Sequence, residues 1–76
     1  FPNDAQLHAE RGLLYRSLND IDHAMEHYAR SVDLKPGDPE LRFNLGEAQQ
    51  KKGSLDAAIA TYKRVLELDP QHTAAK

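Results

Sequence analysis

Prolines at positions 2, 36 and 70 recur every 34 residues, and the period is not confined to them. Shifting residues 5–38 by 34 lays them on 39–72 without a gap. Eight positions are then identical: Leu7/Leu41, Gly12/Gly46, Asp22/Asp56, Ala24/Ala58, Tyr28/Tyr62, Arg30/Arg64, Leu34/Leu68 and Pro36/Pro70. Ordinary residue usage would give roughly two by chance. Ile21/Leu55, Met25/Ile59 and Val32/Leu66 are near-equivalents. A fixed period of this length makes the fold a stack of like units, each too small to bury its own apolar faces alone.

The unit reads as two helices. Asp4 is placed to cap a first helix from Ala5 to about Leu18, with Leu7, Leu14 and Leu18 on one side and Ala9 and Leu13 on another. Asn19-Asp20 interrupts it, and Asp20 can cap a second helix, Ile21 to Leu34. Its Ile21, Ala24, Met25, Tyr28 and Val32 fall at three- and four-residue spacings. Lys35-Pro36-Gly37-Asp38-Pro39 then breaks the chain and restarts it. Pro36 disfavours helical geometry at Lys35, Gly37 permits a sharp turn, Asp38 is an N-cap and Pro39 suits the first helical position. A third helix runs from Pro39 to about Lys52 with Leu41, Phe43, Leu45 and Ala48. After Gly53, Ser54 can cap a fourth, Leu55 to Leu68, with Leu55, Ala58, Ile59, Tyr62, Val65 and Leu66. No strand-period alternation competes. Gly12, Ala24, Gly46 and Ala58 are small where antiparallel helices must approach closely, and Tyr28 and Tyr62 lie one turn after each alanine, able to fill the gap beside it.

This pattern resembles the tetratricopeptide repeat, a 34-residue helix–turn–helix unit. The resemblance rests on Gly12 and Gly46, Ala24-x3-Tyr28 and Ala58-x3-Tyr62, Tyr15, Leu45-Gly46, and the closing Leu34-Lys35-Pro36 and Leu68-Asp69-Pro70. His8 and Arg42 stand where the family has tryptophan, Arg11 where it has leucine, and Gln49 where it has tyrosine. The resemblance implies an all-α fold, an α-α superhelix of two helix–turn–helix repeats with four antiparallel helices. Residues 1–4 would be the tail of a preceding repeat or a linker, 5–38 and 39–72 the two repeats, and 73–76 the start of a further helix. Because the chain begins at Phe1 rather than a methionine, it is read as a piece of a longer protein.

Chemistry-bearing patterns are few. His23-Ala24-Met25-Glu26-His27 fits H-x-x-E-H, and two histidines four apart share a helix face that could hold a metal. The string straddles the packing residues Ala24 and Met25. The repeat register puts His23 and His27 on the outer side of the second helix, exposed, with Ala57 and Thr61 in the other copy. His8 and His72 have no partner at ligand spacing. There is no cysteine, no serine in a nucleophile motif and no phosphate-binding glycine loop, so no enzyme activity, cofactor or metal is implied. Ser17, Ser31 and Ser54 read as a helix end, a packing position and a cap. Ten basic and twelve acidic residues give a net charge of −2, which argues against nucleic acid or an anionic membrane as partner. No apolar run reaches membrane-spanning length. Nothing assigns a compartment.

Stacked repeats line a concave groove with their first helices. The family's groove positions fall on Gln6, Ala9, Glu10, Leu13, Arg16 and Ser17 in the first copy, and on Glu40, Phe43, Asn44, Glu47, Gln50 and Lys51 in the second. Leu13 and Phe43 would be apolar anchors for a bound protein or peptide segment. The set that grips a terminal carboxylate in one subclass is not reproduced: Ala9, Leu13, Glu40 and Glu47 occupy its places, and only Asn44 agrees. The implied function is a protein–protein interaction scaffold; the alternative is a docking arm of a larger enzyme, such as a glycosyltransferase, or of an export or assembly complex. The exposed terminal helices also predict self-association, end to end or by exchange of helices.

Overall fold

Among the described residues four helices are built from the periods just described: α1 (Ala5–Ser17), α2 (Ile21–Leu34), α3 (Pro39–Lys52) and α4 (Leu55–Leu68). The computed structural model describes residues 4–72; the expected further helix start at 73–76, and residues 1–3 of the leading segment, lie outside the described residues. Asp4 and Asp38 cap α1 and α3 through their carboxylates, which accept from the Gln6 and Glu40 amides at 2.9 and 3.0 Å. Asp20 does the same for α2 through His23 N. Ser54 precedes α4, but its side chain makes no capping bond, contrary to the sequence expectation. Lys35, before Pro36, leaves helical geometry at φ −136° and ψ 74°, and Pro39 opens α3.

The turns inside the two hairpins are copies of each other. Asn19 and Gly53, one period apart, adopt left-handed backbone at φ 63° and 90°. Both turns close with the same pair of bonds: Asn19 N to Arg16 O and Asp20 N to Tyr15 O, then Gly53 N to Gln50 O and Ser54 N to Gln49 O. Gly37 does not use its freedom, because it is not in the left-handed region.

Each hairpin is closed by a glycine against a tyrosine ring. A Cβ at Gly12 would lie 2.6 Å from the Tyr28 ring, and one at Gly46 would lie 2.7 Å from the Tyr62 ring. The helices therefore pack at a separation only glycine allows at those points. Tyr28 is 1% exposed, and Ser31, one turn on, is equally sealed and donates its hydroxyl to Tyr28 O at 2.7 Å.

Two apolar clusters join the hairpins. Ala5, Ala9, Val32 and Leu41 form one; Ala24, Tyr28 and Ala48 form the other, flanked by Tyr15, Ile21 and Met25. Leu45 packs against both and so ties α3 to α1 and α2. Lys52 adds an ion pair to Asp22 at 2.8 Å between α3 and α2.

The α1 face differs from the expected one. Its buried residues are Ala5, His8, Ala9 and Gly12, whereas Leu14 and Leu18 are 59% and 69% exposed. The reason is in the period. Position 48, one repeat on from Leu14, is the alanine that meets α2, and Lys52, one repeat on from Leu18, reaches Asp22. Leu14 and Leu18 thus sit on the face that a helix preceding α1 would cover. At the other end Leu55 and Ile59 are exposed, while their counterparts Ile21 and Met25 pack on α3.

Candidate functional site

The face formed by α1 and α3 collects the sequence-predicted residues. Its geometry is set by Arg16, whose Nη1 donates to Glu47 Oε1 at 3.1 Å across the two helices. Leu13 and Asn44 each lie three residues before one end of that bridge, so they stand one helical turn back on the same face. Leu13 is 50% exposed. Asn44 is half-buried, and its side-chain amide bonds to no other described residue. Gln6, Glu10 and Lys51 are exposed. Ser17 is exposed too, but its hydroxyl turns back to Leu13 O at 3.0 Å.

The remaining residues are engaged within the fold. Ala9 is buried in the cluster with Leu41 and Val32, so its side chain belongs to the core and not to the face. Phe43 is half-buried, its ring 4.8 Å from that of His72 and 5.6 Å from that of Tyr62. Gln50 accepts from the Tyr62 hydroxyl at 3.0 Å. Burial raises the Tyr62 hydroxyl pKa, and the Glu47 charge raises it further. Glu40 pairs with His72 Nε2 at 2.6 Å. His72, which has no partner at ligand spacing in the sequence, is therefore the residue that closes this face: buried, bonded to Glu40 and with its ring tilted against that of Phe43. It lies one period after the cap Asp38, and that register was the only sequence signal of its position.

The histidines of α2 also differ from expectation. His23 is exposed, but it does not face outward alone. Its Nδ1 pairs with Asp20 at 2.7 Å, and its ring stacks on Tyr15 of α1 at 5.0 Å. The backbone bond from His23 N, then its side chain and charge, hold the Asp20 carboxyl below its ordinary range. His27 is half-buried, stacked on Tyr15 at 5.4 Å, and its Nδ1 meets that of His8 at 3.3 Å. The two α2 histidines are thus directed to the α1 seam by Tyr15, which fills the space between them. Among the described residues no group of three or more His, Cys, Asp or Glu is arranged to hold a metal ion. Among the described residues no helix is long and apolar enough to cross a membrane.

Paired antiparallel helices, glycine–tyrosine closures at a 34-residue interval and an inner face of first helices define a helical-repeat scaffold. The sequence model of the tetratricopeptide repeat matches residues 15–76, and the chain belongs to that family. Two solved structures share the fold. YrrB, described as a TPR protein with an unusual peptide-binding site, superposes with a TM-score of 0.89 at 30% identity, over 95% of this chain and 37% of its own. MamA superposes with a TM-score of 0.79 at 30% identity, over 92% of this chain and 38% of its own. The chain therefore spans less than two fifths of each of these relatives. It is a repeat scaffold of the protein-interaction type, in a family that binds protein or peptide partners and is generally non-enzymatic.

Proposed function

We propose that the α1–α3 face binds an extended peptide segment of a protein partner, and that the two 34-residue units, 5–38 and 39–72, are part of a longer solenoid. One observation carries the binding reading. A half-exposed leucine and an unbonded carboxamide, Leu13 and Asn44, flank the Arg16–Glu47 bridge on one face. An apolar anchor beside an amide that can both donate to and accept from a peptide backbone suits a main-chain segment carrying one apolar side chain. Phe43 supports the site from below, with its ring held by Tyr62 and His72. YrrB, with its peptide-binding site on the same fold, lends the reading weight.

The solenoid reading rests on the end faces. Leu14 and Leu18 at one end and Leu55 and Ile59 at the other are exposed, whereas at the internal α2–α3 junction their counterparts are engaged: Ala48 is buried, Ile21 and Met25 are partly buried, and Lys52 pairs with Asp22. Isolated, such ends self-associate. Peptides selected from a random display library against the chain, counter-screened with Leu13→Glu and Asn44→Ala, test the binding reading. The expected result is about a tenfold or larger loss of affinity in each variant, corresponding to ~1.4 kcal/mol. Selected peptides that bind both variants as well as the parent would place the site elsewhere.

A further inference from the structure

We propose that the α1–α2 seam is a proton-sensitive latch, in which one proton shared by His8 and His27 holds α1 against α2, and that the α3–α4 hairpin has no equivalent. Four rings alternate along the seam between the helices: His8 from α1, His27 from α2, Tyr15 from α1 and His23 from α2. At one end the His8 and His27 ring centroids are 5.5 Å apart with their Nδ1 atoms only 3.3 Å apart. The two nitrogens therefore lie between the rings and face each other.

An imidazole-to-imidazole bond of this kind needs one N–H and one bare nitrogen. Two neutral rings supply it, as does a singly charged pair. A second proton removes the acceptor and sets two cations against each other. The surroundings of His27 favour its uncharged state. Among the described residues, Arg11 from α1 and Arg30 from α2 act against a charge on His27, and Glu26 favours one. Glu26 is itself paired with Arg30 at 2.7 Å, and Asp20 is paired with His23. From α3, Lys52 goes to Asp22 and Glu47 to Arg16.

The second hairpin carries Arg42, Gln49, Ala57 and Thr61 at the four corresponding positions. Its seam is joined by Thr61 Oγ1 donating to Gln49 Oε1 at 2.6 Å, and Arg42 turns to Pro36 O. None of these groups changes charge near neutrality.

The sign follows from linkage. Burial, then the His8 charge, hold His27 below its ordinary 6.5. The folded seam thus binds fewer protons than the opened one. Its contribution is complete above that ordinary value and is lost as pH falls from there through the lowered one. Each proton taken up on opening raises the opening constant by up to about tenfold per pH unit. The latch is a property of the hairpin and stands whatever the α1–α3 face binds.

Site-resolved hydrogen exchange between pH 7.5 and 5.0, with a chelator present throughout, tests it. After correction for intrinsic exchange, α1 protection should fall about tenfold or more, while α4 changes less than twofold. His27→Gln should flatten the α1 response. Should that variant not fold, the wild-type ring nitrogens report directly. At neutral pH, 15N spectra should show one of the two Nδ1 atoms protonated and the other bare. Protection in α1 that tracks α4 with pH, an unflattened response in His27→Gln, or two bare Nδ1 atoms would overturn the proposal.

Discussion

Replacing Gly12 by alanine should destabilise the fold, although alanine is the better helix former. The substitution gains ~1 kcal/mol of helix propensity. Against this, the new methyl would stand 2.6 Å from both Cδ1 and Cε1 of Tyr28 and 3.1 Å from Cγ, so it meets the flat of the ring and not its tip. Tyr28 is 1% exposed and packed against Ala24 and Ala48, which leaves the ring no room to retreat without parting α1 from α2. Overpacking of that kind costs ~1–3 kcal/mol, and the fixed ring puts it in the upper part of that range, about 2–3 kcal/mol. The net loss is about 1–2 kcal/mol, which for a chain of this size lowers Tm by roughly 5–15 °C. Gly46→Ala is the matched comparison. Its methyl meets Tyr62 Cε1 at 2.7 Å and Cδ1 at 3.0 Å, but Tyr62 is only half-buried and can swing outward, giving up its bond to Gln50. Its net change should lie within about 1 kcal/mol of zero. Gly37→Ala, with open space around it, should be neutral or slightly stabilising. Urea unfolding followed by circular dichroism at 222 nm ranks the three. A Gly12→Ala protein as stable as the parent would refute the reasoning. So would an undiminished loss in a Tyr28→Leu background, where the ring is gone.

Two further substitutions are read by the same unfolding assay. Asp38→Ala removes a carboxylate that accepts from Glu40 N, and should lose ~1 kcal/mol, whereas Ser54→Ala, where no capping bond exists, should change stability by less than ~0.3 kcal/mol. Asn19→Val forces a β-branched residue into the left-handed turn at φ 63° and should lose ~1–2 kcal/mol, with Asn19→Gly near neutral.

The helix boundaries were legible because each is marked by chemistry local to the chain: Asp4, Asp20 and Asp38 as caps, Pro39 at the helix start, Asn19 and Gly53 at the turns. The glycine–tyrosine closure was legible for a different reason. Two copies of the same pair, Gly12/Tyr28 and Gly46/Tyr62, report a close approach that neither copy alone would establish. What the period could not show is where the copies differ. The repeat register puts His23 and His27 on an outer face, yet Tyr15 draws both rings into the seam. Leu14 and Leu18 read as one apolar side of α1 with Leu7. The structure leaves both exposed, because a side chain's spacing does not reveal which of two flanking helices it faces. Of the expected groove residues, Ala9 has its side chain in the core cluster with Val32 and Leu41, which its spacing did not reveal. Phe43 was legible as an aromatic on the inner helix, but its clasp by His72 joins residues 29 apart in sequence through a contact no spacing rule contains.

The two hairpins show how a repeat separates what must be kept from what is free to vary. Closure of α1 on α2, and of α3 on α4, requires a residue without a Cβ opposite an aromatic ring, and both copies meet that requirement identically. Beyond the ring, the seam needs only that opposed polar groups satisfy each other in a half-buried setting. Tyr15, His8, His23 and His27 meet that need by ring stacking and a shared proton. Gln49 and Thr61 meet it with a single neutral hydrogen bond. Both seams hold at neutral pH, so stacking of the fold does not distinguish them, and only one contains a group whose charge changes near neutrality. The side chains on the inner face belong to the same helices as these seams: Leu13 lies two residues before Tyr15, and Glu47 two before Gln49. A difference in how α1 and α3 are fastened to their outer helices is therefore a difference in how firmly each half of the face is held. The first half, carrying Leu13 and one end of the Arg16–Glu47 bridge, is the half whose seam to its outer helix depends on a proton.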